Sequence, residues 1–314
     1  MVNIFVGVTD FEWFSNLRNQ SAPSSINFWQ PGGQTAFKAL RPGEYFLFKL
    51  HSPKNFIVGG GIFSYATIIP ISLAWEAFGT ENGAMTLDEM RKRVSHYRRD
   101  IANPRTDFQI GCRILEEPFF FDEELWIPVP KSWSPNIVSG KRYNTNEEDG
   151  RYLWDEVNLR IAGRYIELRE EQKPFGENEA SPRYGQPSLV KPRLGQGTFR
   201  IMVTDAYERR CAVTNEKTLP ALEAAHIQPY SQGGGHEVKN GILLRRDIHP
   251  LFDLGYVTIT RDARFEVSKK IHEEFDNGKN YYALHGSKIR LPDSTYQKPD
   301  PELLTWHNDK VFMG

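Results

Sequence analysis

Cysteine is almost absent from this chain: 314 residues carry two, Cys112 and Cys211, far apart in the sequence. That scarcity excludes a disulfide framework and an all-protein zinc knuckle, and a reducing compartment is the natural setting. Long apolar runs are missing as well, since no stretch approaches the roughly 18 residues of a membrane-spanning helix. The opening MVNIFVGVTDFEWF has neither a basic leader nor a small-residue cleavage site, so a soluble, cytoplasmic chain with no membrane partner is expected. A charge excess of either sign is also lacking, with 39 Lys and Arg against 40 Asp and Glu. A polyanion would therefore have to be held by local clustering rather than by bulk charge. There is no internal repeat and no low-complexity tract. What remains is an ordinary globular composition, 39% hydrophobic and 25% charged, at a length that suggests about two domains.

Strand and helix signals alternate through the first 135 residues. VNIFVGV reads as a buried strand, and Asp10 follows as an N-cap for a helix from Phe11 to Arg18. After NFWQPGG a helical run is expected up to RPGE, whose Pro42-Gly43 pair punctuates it before the strand EYFLFKLHS. NFIVGGGIFSYATIIPIS supplies one or two more strands. Leu87, Met90, Val94 and Tyr97 recur at the spacing of one helix face, and IGCRILEEPFFF and LWIPVP return to strand character. The expected fold class is α+β: a β-rich, mostly closed N-terminal barrel with helices over 1–135, a partly helical linker over 136–194, and a second domain over 195–314. The linker is polar and carries a helix candidate from Leu153 to Leu168. The second domain begins with the amphipathic TFRIMVTDAYERRC.

Chemistry gathers in EAAHIQPYSQGGGHEVKNGILLRRDIHPLFDLG, residues 223–255. LEAAHIQPY reads as a strand entering a turn, QGGGHEVKNG as a glycine-rich loop, ILL as a short strand, and RRDIHPLFD as the start of a helix. Strand, loop, strand, helix is the outline of a ββα-metal unit. In such a unit one histidine deprotonates a water and a divalent ion opposite stabilises the leaving oxygen. His226 is placed for the base and His249 for the metal. A lone histidine is usually an ordinary surface or core residue, but the ordered set of three polar residues around this loop is far more specific.

His226, Asn240 and His249, within CAVT…LEAAHI…NGILL…DIHPLFD, resemble the His, Asn and His of the HNH nuclease family. The resemblance implies His226 as general base, His249 as metal ligand and Asn240 as the residue whose amide braces the loop. It also implies a divalent cofactor, Mg²⁺ or else Mn²⁺, Co²⁺ or Ni²⁺, and double-stranded DNA as partner. The position before the base, often a ligand in that family, is Ala225 here, so Asp253, one turn beyond His249, is the expected second ligand. Glu223 is the weaker candidate. The flanking cysteine pairs of many HNH units are missing, and no structural zinc is expected. Residues 191–270 hold 13 Lys and Arg against 9 Asp and Glu. Arg209, Arg210, Arg245 and Arg246 are the candidate phosphate contacts.

The N-terminal pattern of VGVTDFEWF, FWQPGG, RPGEYFLFKLHS and FIVGGGIFS resembles the EVE-like branch of the PUA superfamily, which includes readers of modified bases. That likeness implies a pocket into which a modified base is flipped. Trp29, Gln30, Trp75 and Phe120 are the candidate walls and reader, although most aromatic residues of a small β domain are core. Together the two resemblances imply a modification-dependent restriction endonuclease that acts on DNA carrying a 5-modified cytosine, 5-methyl or 5-hydroxymethyl, as a homodimer. The rivals are a nuclease reading N6-methyladenine, phosphorothioate or RNA, and a binding protein whose centre has decayed at Ala225.

Overall fold

The computed structural model describes residues 1–32, 36–98, 106–170, 189 and 194–314, and the chain divides into two compact units, Met1–Arg193 and Leu194–Gly314. The architecture is mixed α and β, with the large sheet in the first unit.

That sheet follows the order β2-β5-β4-β3-β1-β7. Its strands are β1 (Asn3–Thr9), β2 (Ser25–Gln30), β3 (Tyr45–Leu50), β4 (Phe56–Pro70), β5 (Gln109–Phe120) and β7 (Gly140–Asn144), with the two-residue β6 (Ile127–Pro128) beside β4. β1 and β3 run parallel and the other pairs antiparallel. β4 is a single strand of 15 residues. Its register with β5 shifts twice, between Gly60 and Ile62 and between Phe63 and Tyr65. A Cβ on Gly59 would stand 2.3 Å from the carbonyl oxygen of Phe119, so only glycine admits that approach.

The barrel expected over 1–135 does not close. Among the described residues β2 and β7 end the strand order and do not pair with each other. Strand alternation specifies neighbours locally but carries no information on closure, which depends on tilt and register around the whole sheet. Two further expectations are corrected. No helix precedes Pro42 in the described residues 36–42; the expected run lacks a continuous apolar stripe to hold one. The stretch read as linker begins with β7, which zips onto β1 from Asn3↔Asn144 to Gly7↔Gly140. The helix that follows, Glu148–Glu170 (α4, after α1–α3 below), buries Leu153, Trp154 and Val157.

Helix α1 (Phe11–Arg18) starts as its sequence dictates, with Asp10 accepting from the Trp13 amide at 2.7 Å. It buries Trp13, Phe14 and Leu17, and Trp13 meets Phe28 and Phe48 edge-on at 5.1 Å each. Helices α2 (Ile71–Phe78) and α3 (Leu87–His96) complete the cover.

The second unit is built on the hairpin of β8 (Leu222–His226) and β9 (Gly241–Arg245). Helix α5 (Gln196–Ala206) lies against it, and α6 (Ile248–Asp253) follows β9. Gly241 permits the approach of α5, because a Cβ there would stand 2.3 Å from Val203 Cγ2. A second pair, β10 (Val257–Ile259) with β11 (Phe265–Val267), leads to the short helices α7 (Lys270–Phe275) and α8 (Lys279–Tyr282). The last helix, α9 (Pro301–Lys310), packs back on the core through Leu304 and His307. His307 stacks on Phe252 at 3.8 Å, bonds to the Phe252 carbonyl through Nε2 at 3.0 Å and faces the Thr258 hydroxyl through Nδ1 at 2.8 Å. A carbonyl only accepts, so Nε2 carries a proton, and burial disfavours a second one on Nδ1.

Burial lowers His307 to about 4, below the unfolded histidine value of about 6.5. The unfolded state therefore takes up this proton first as pH falls. The stability of the second unit is expected to decline between about pH 6.5 and 4, by up to roughly 3 kcal/mol from this residue. Thermal unfolding at pH 7 and pH 5 checks this, and a His307→Gln variant should show a smaller loss, the remainder coming from His226, which is lowered in the same direction.

Candidate functional site

β8 and β9 bring the three predicted residues together. His226 is the last residue of β8 and pairs with Gly241 at the start of β9. Asn240 stands just before β9, and its amide spans the loop between the strands. Its Oδ1 accepts from the Gln228 amide at 2.9 Å, and its Nδ2 donates to the carbonyls of Gln228 at 2.9 Å and Gly235 at 2.8 Å. Both amide hydrogens and the amide oxygen of the buried side chain are thus engaged by backbone. Gly234 completes the turn, where a Cβ would meet the Gln228 carbonyl oxygen at 1.9 Å.

The ring of His226 lies flat on Phe199 of α5, with centroids 3.8 Å apart and planes 10° apart. Its Nε2 is 3.0 Å from Nδ1 of His236. His236 in turn stacks on Tyr230 at 5.0 Å, with the planes 1° apart. Burial, with His236 and His249 nearby, lowers His226 to about 4, so it is neutral across the physiological range. Among the described residues no hydrogen bond engages its Nδ1.

His249 sits on α6 between two carboxylates. Nδ1 is 2.9 Å from Glu223 Oε2, and Nε2 is 3.3 Å from Asp253 Oδ2. Two donors each about 2.1 Å from a shared hexacoordinate ion lie roughly 3 Å apart. The Nε2–Oδ2 pair therefore fits as adjacent ligands, while Glu223 binds the far side of the ring. Among the described residues no three His, Cys, Asp or Glu side chains surround a common point. Two protein donors completed by water and substrate phosphate suffice for Mg²⁺. Ala225 is fully buried in the core of this unit and offers no ligand.

These groups border one cleft of about 680 Å³, whose lining includes His226, His236, His249, Asp253, Glu223 and Arg200. Sequence reasoning passed over two of them. His236 was read only as part of a glycine-rich loop, although a histidine between the two motif histidines was the available signal. Arg200 precedes the motif on α5 and nothing in its spacing marks it. Among the described residues it is the one Arg or Lys on the lining, whereas the four predicted phosphate contacts lie outside that lining. Arg209 pairs with Asp205 at 3.2 Å, Arg245 with Asp247, and Arg246 with Glu223 at 3.2 Å. Arg210 lies in the turn after α5, its amide bonded to the Tyr207 carbonyl.

A second cavity, of about 270 Å³, lies within the first unit and is bordered by Asp10, Trp13, Phe28, Trp29, Gln30 and Arg113 among others. Trp29 and Gln30 were predicted for a pocket and line this one. Trp29 is placed by β2, and its Nε1 donates to the Asn82 carbonyl at 2.9 Å. Trp75 on α2 and Phe120 on β5 are not on its lining. Phe120 is drawn instead toward Phe14 and Phe48, at 5.9 Å from each.

A family described as HNH endonuclease matches residues 211–260, the span that contains His226, Asn240 and His249. No curated protein matches the chain. Among solved structures, one titled "Modification dependent TagI restriction endonuclease" is similar at 12% identity and a TM-score of 0.31, over 97% of this chain and 81% of that one.

His226 is expected to titrate near pH 4 rather than 6.5, because burial and the two neighbouring imidazoles disfavour its cation. Imidazole carbon-bound proton shifts followed by NMR check this. A midpoint above 6 would show that the ring is solvated rather than packed on Phe199.

Proposed function

We propose that this chain is a modification-dependent DNA endonuclease. Its first unit, an EVE-like module built on an open sheet, takes up a 5-substituted cytosine flipped from the duplex, and its second unit hydrolyses a nearby phosphodiester. The observation that carries the nuclease part is the convergence of a neutral histidine, His226, and an imidazole–carboxylate pair, His249 and Asp253, on one cleft. The HNH endonuclease match over 211–260 supports it. The cavity beside Trp29 and Gln30 supports the reader part.

In this mechanism the Nε2 proton of His226 is donated to His236, which leaves Nδ1 as the atom that takes the proton of the attacking water. The phosphate entering the cleft favours the imidazolium so formed. Asn240 keeps the loop, and with it the base, in place. His249 Nε2 and Asp253 would hold the divalent ion, and Glu223 orients His249 by accepting from Nδ1. When bound, that ion supplies charge stabilisation for the scissile phosphate and the leaving oxygen. Arg200 adds a fixed positive charge on the cleft wall. One such centre cuts one strand, so a double-strand break needs two copies of the chain, as a homodimer or in successive encounters.

Matched plasmids, unmodified or carrying 5-methylcytosine, 5-hydroxymethylcytosine or N6-methyladenine, incubated with Mg²⁺ or Mn²⁺, test both parts. Cutting confined to cytosine-modified DNA, and lost in His226→Ala, is the expected result. Equal cutting of every plasmid would refute the reader. Absence of cutting with any ion, alongside selective binding, would make this a binding protein. Asp253→Ala is expected to raise the Mg²⁺ concentration for half-maximal cutting tenfold or more.

A further inference from the structure

Thymine poses the difficulty for any protein that reads 5-methylcytosine. It carries the same 5-methyl group and is abundant in all DNA, so an apolar wall that accepts one methyl accepts the other. The two bases differ on the pairing edge. Cytosine presents acceptors at O2 and N3 and a donor at N4, whereas thymine presents a donor at N3 between two acceptors. A pocket that separates them has to commit a polar group at N3 to being a donor. A glutamine amide is ambiguous in this respect, since it offers a donor or an acceptor according to how it is turned.

Gln30 is not free to turn. Arg113, on β5, lies diagonally across the β2–β5 pair from it, and Arg113 Nη2 donates to Gln30 Oε1. A guanidinium has five donors and no acceptor, so the atom that meets it has to be the amide oxygen. Arg113 is itself well fixed: it is 7% exposed, with its Cζ 4.6 Å from the Phe37 ring centroid and 5.7 to 5.9 Å from those of Phe5, Phe28 and Phe46. Among the described residues no carboxylate forms an ion pair with it. Burial lowers its pKa to about 10, so it remains charged, and hence donor-only, at neutral pH. Gly111 stands directly opposite Gln30 in the register, so no cross-strand side chain competes for the amide. With Oε1 engaged, the Nε2 hydrogens are what Gln30 offers the cavity.

We propose that Arg113 locks Gln30 as a hydrogen-bond donor and that this pair makes the first-unit cavity selective for the acceptor edge of a cytosine over that of a thymine. Gln30 is the specificity-determining residue and Arg113 the positioning residue behind it. Trp29, Phe28 and Trp13 supply the apolar lining against which a ring and its 5-substituent pack. A cavity of about 270 Å³ lies at the small end of ligand pockets, which begin near 300 Å³, and suits a single ring. The proposal rests on the reading of this unit as a modified-base sensor.

Gln30→Glu separates recognition from folding. A carboxylate keeps the length and shape of the side chain and pairs with Arg113 more strongly, but it has no hydrogen to donate. The full-length chain carrying His226→Ala, which binds without cutting, is titrated with duplexes that differ at one position: 5-methylcytosine, cytosine, thymine or N6-methyladenine. The parent is expected to prefer the 5-methylcytosine duplex. Adding Gln30→Glu should weaken that binding at least tenfold relative to the thymine duplex, without lowering Tm. Gln30→Met, which has neither donor nor acceptor, should lose the same discrimination and provides the comparison if the glutamate variant is unstable. A 5-methylcytosine preference that survives both substitutions would overturn the donor lock and leave the sensor standing. A parent that prefers N6-methyladenine would overturn it too, and a parent with no preference would remove the sensor reading together with the lock.

Discussion

The Asn240 amide holds the second unit's site in place. Three hydrogen bonds from one buried side chain tie the Gln228 backbone on one side of the loop to Gly235 on the other. His226 lies two residues before the first anchor and His236 directly follows the second, so the 3.0 Å contact between the two imidazoles depends on this clamp. A loop of this length with three consecutive glycines, 233–235, would otherwise spend much of its time open. Each bond of the clamp ends on backbone, and Gly234 is a position where it depends on the absence of a side chain, since a Cβ there would stand 1.9 Å from the Gln228 carbonyl oxygen.

Around that clamp, charge and packing divide the work. The Phe199 stack and burial keep His226 neutral, while Glu223 and Asp253 hold His249 from opposite sides. A neutral imidazole and an imidazole flanked by carboxylates thus stand on one cleft in different electrostatic surroundings. The first unit uses the opposite device. There an arginine is buried among aromatic rings with one amide as its hydrogen-bond partner among the described residues, and polarity is spent on orienting a neighbour.

Much of this is legible in the sequence. VNIFVGV-Asp10 announced a strand and a capped helix because capping and alternation are local. The order of His226, Asn240 and His249 announced the hairpin and helix because the hydrogen bonds and turns that define the unit lie within some thirty residues. Sheet closure is not legible locally, and neither is the strand at Gly140–Asn144, since its partner β1 lies at the other end of the unit. Arg209, Arg210, Arg245 and Arg246 lie close to the motif in sequence but off the lining of the cleft. Three of them form ion pairs with acidic neighbours, which a count of charges does not show.

What the sequence determined by itself is the set of groups: an imidazole at the end of a strand, an imidazole with a carboxylate one turn later, and an asparagine between them. These follow from residue type and spacing, and spacing survives translation into helix and strand because both have fixed periods. Tertiary structure alone decided which groups become partners. It set His236 against His226, turned Glu223 toward the rear of His249, brought Arg200 to the cleft, and faced Arg113 with Gln30. Each of these pairings crosses elements, and its distance depends on how two surfaces pack rather than on how far apart the residues lie along the chain.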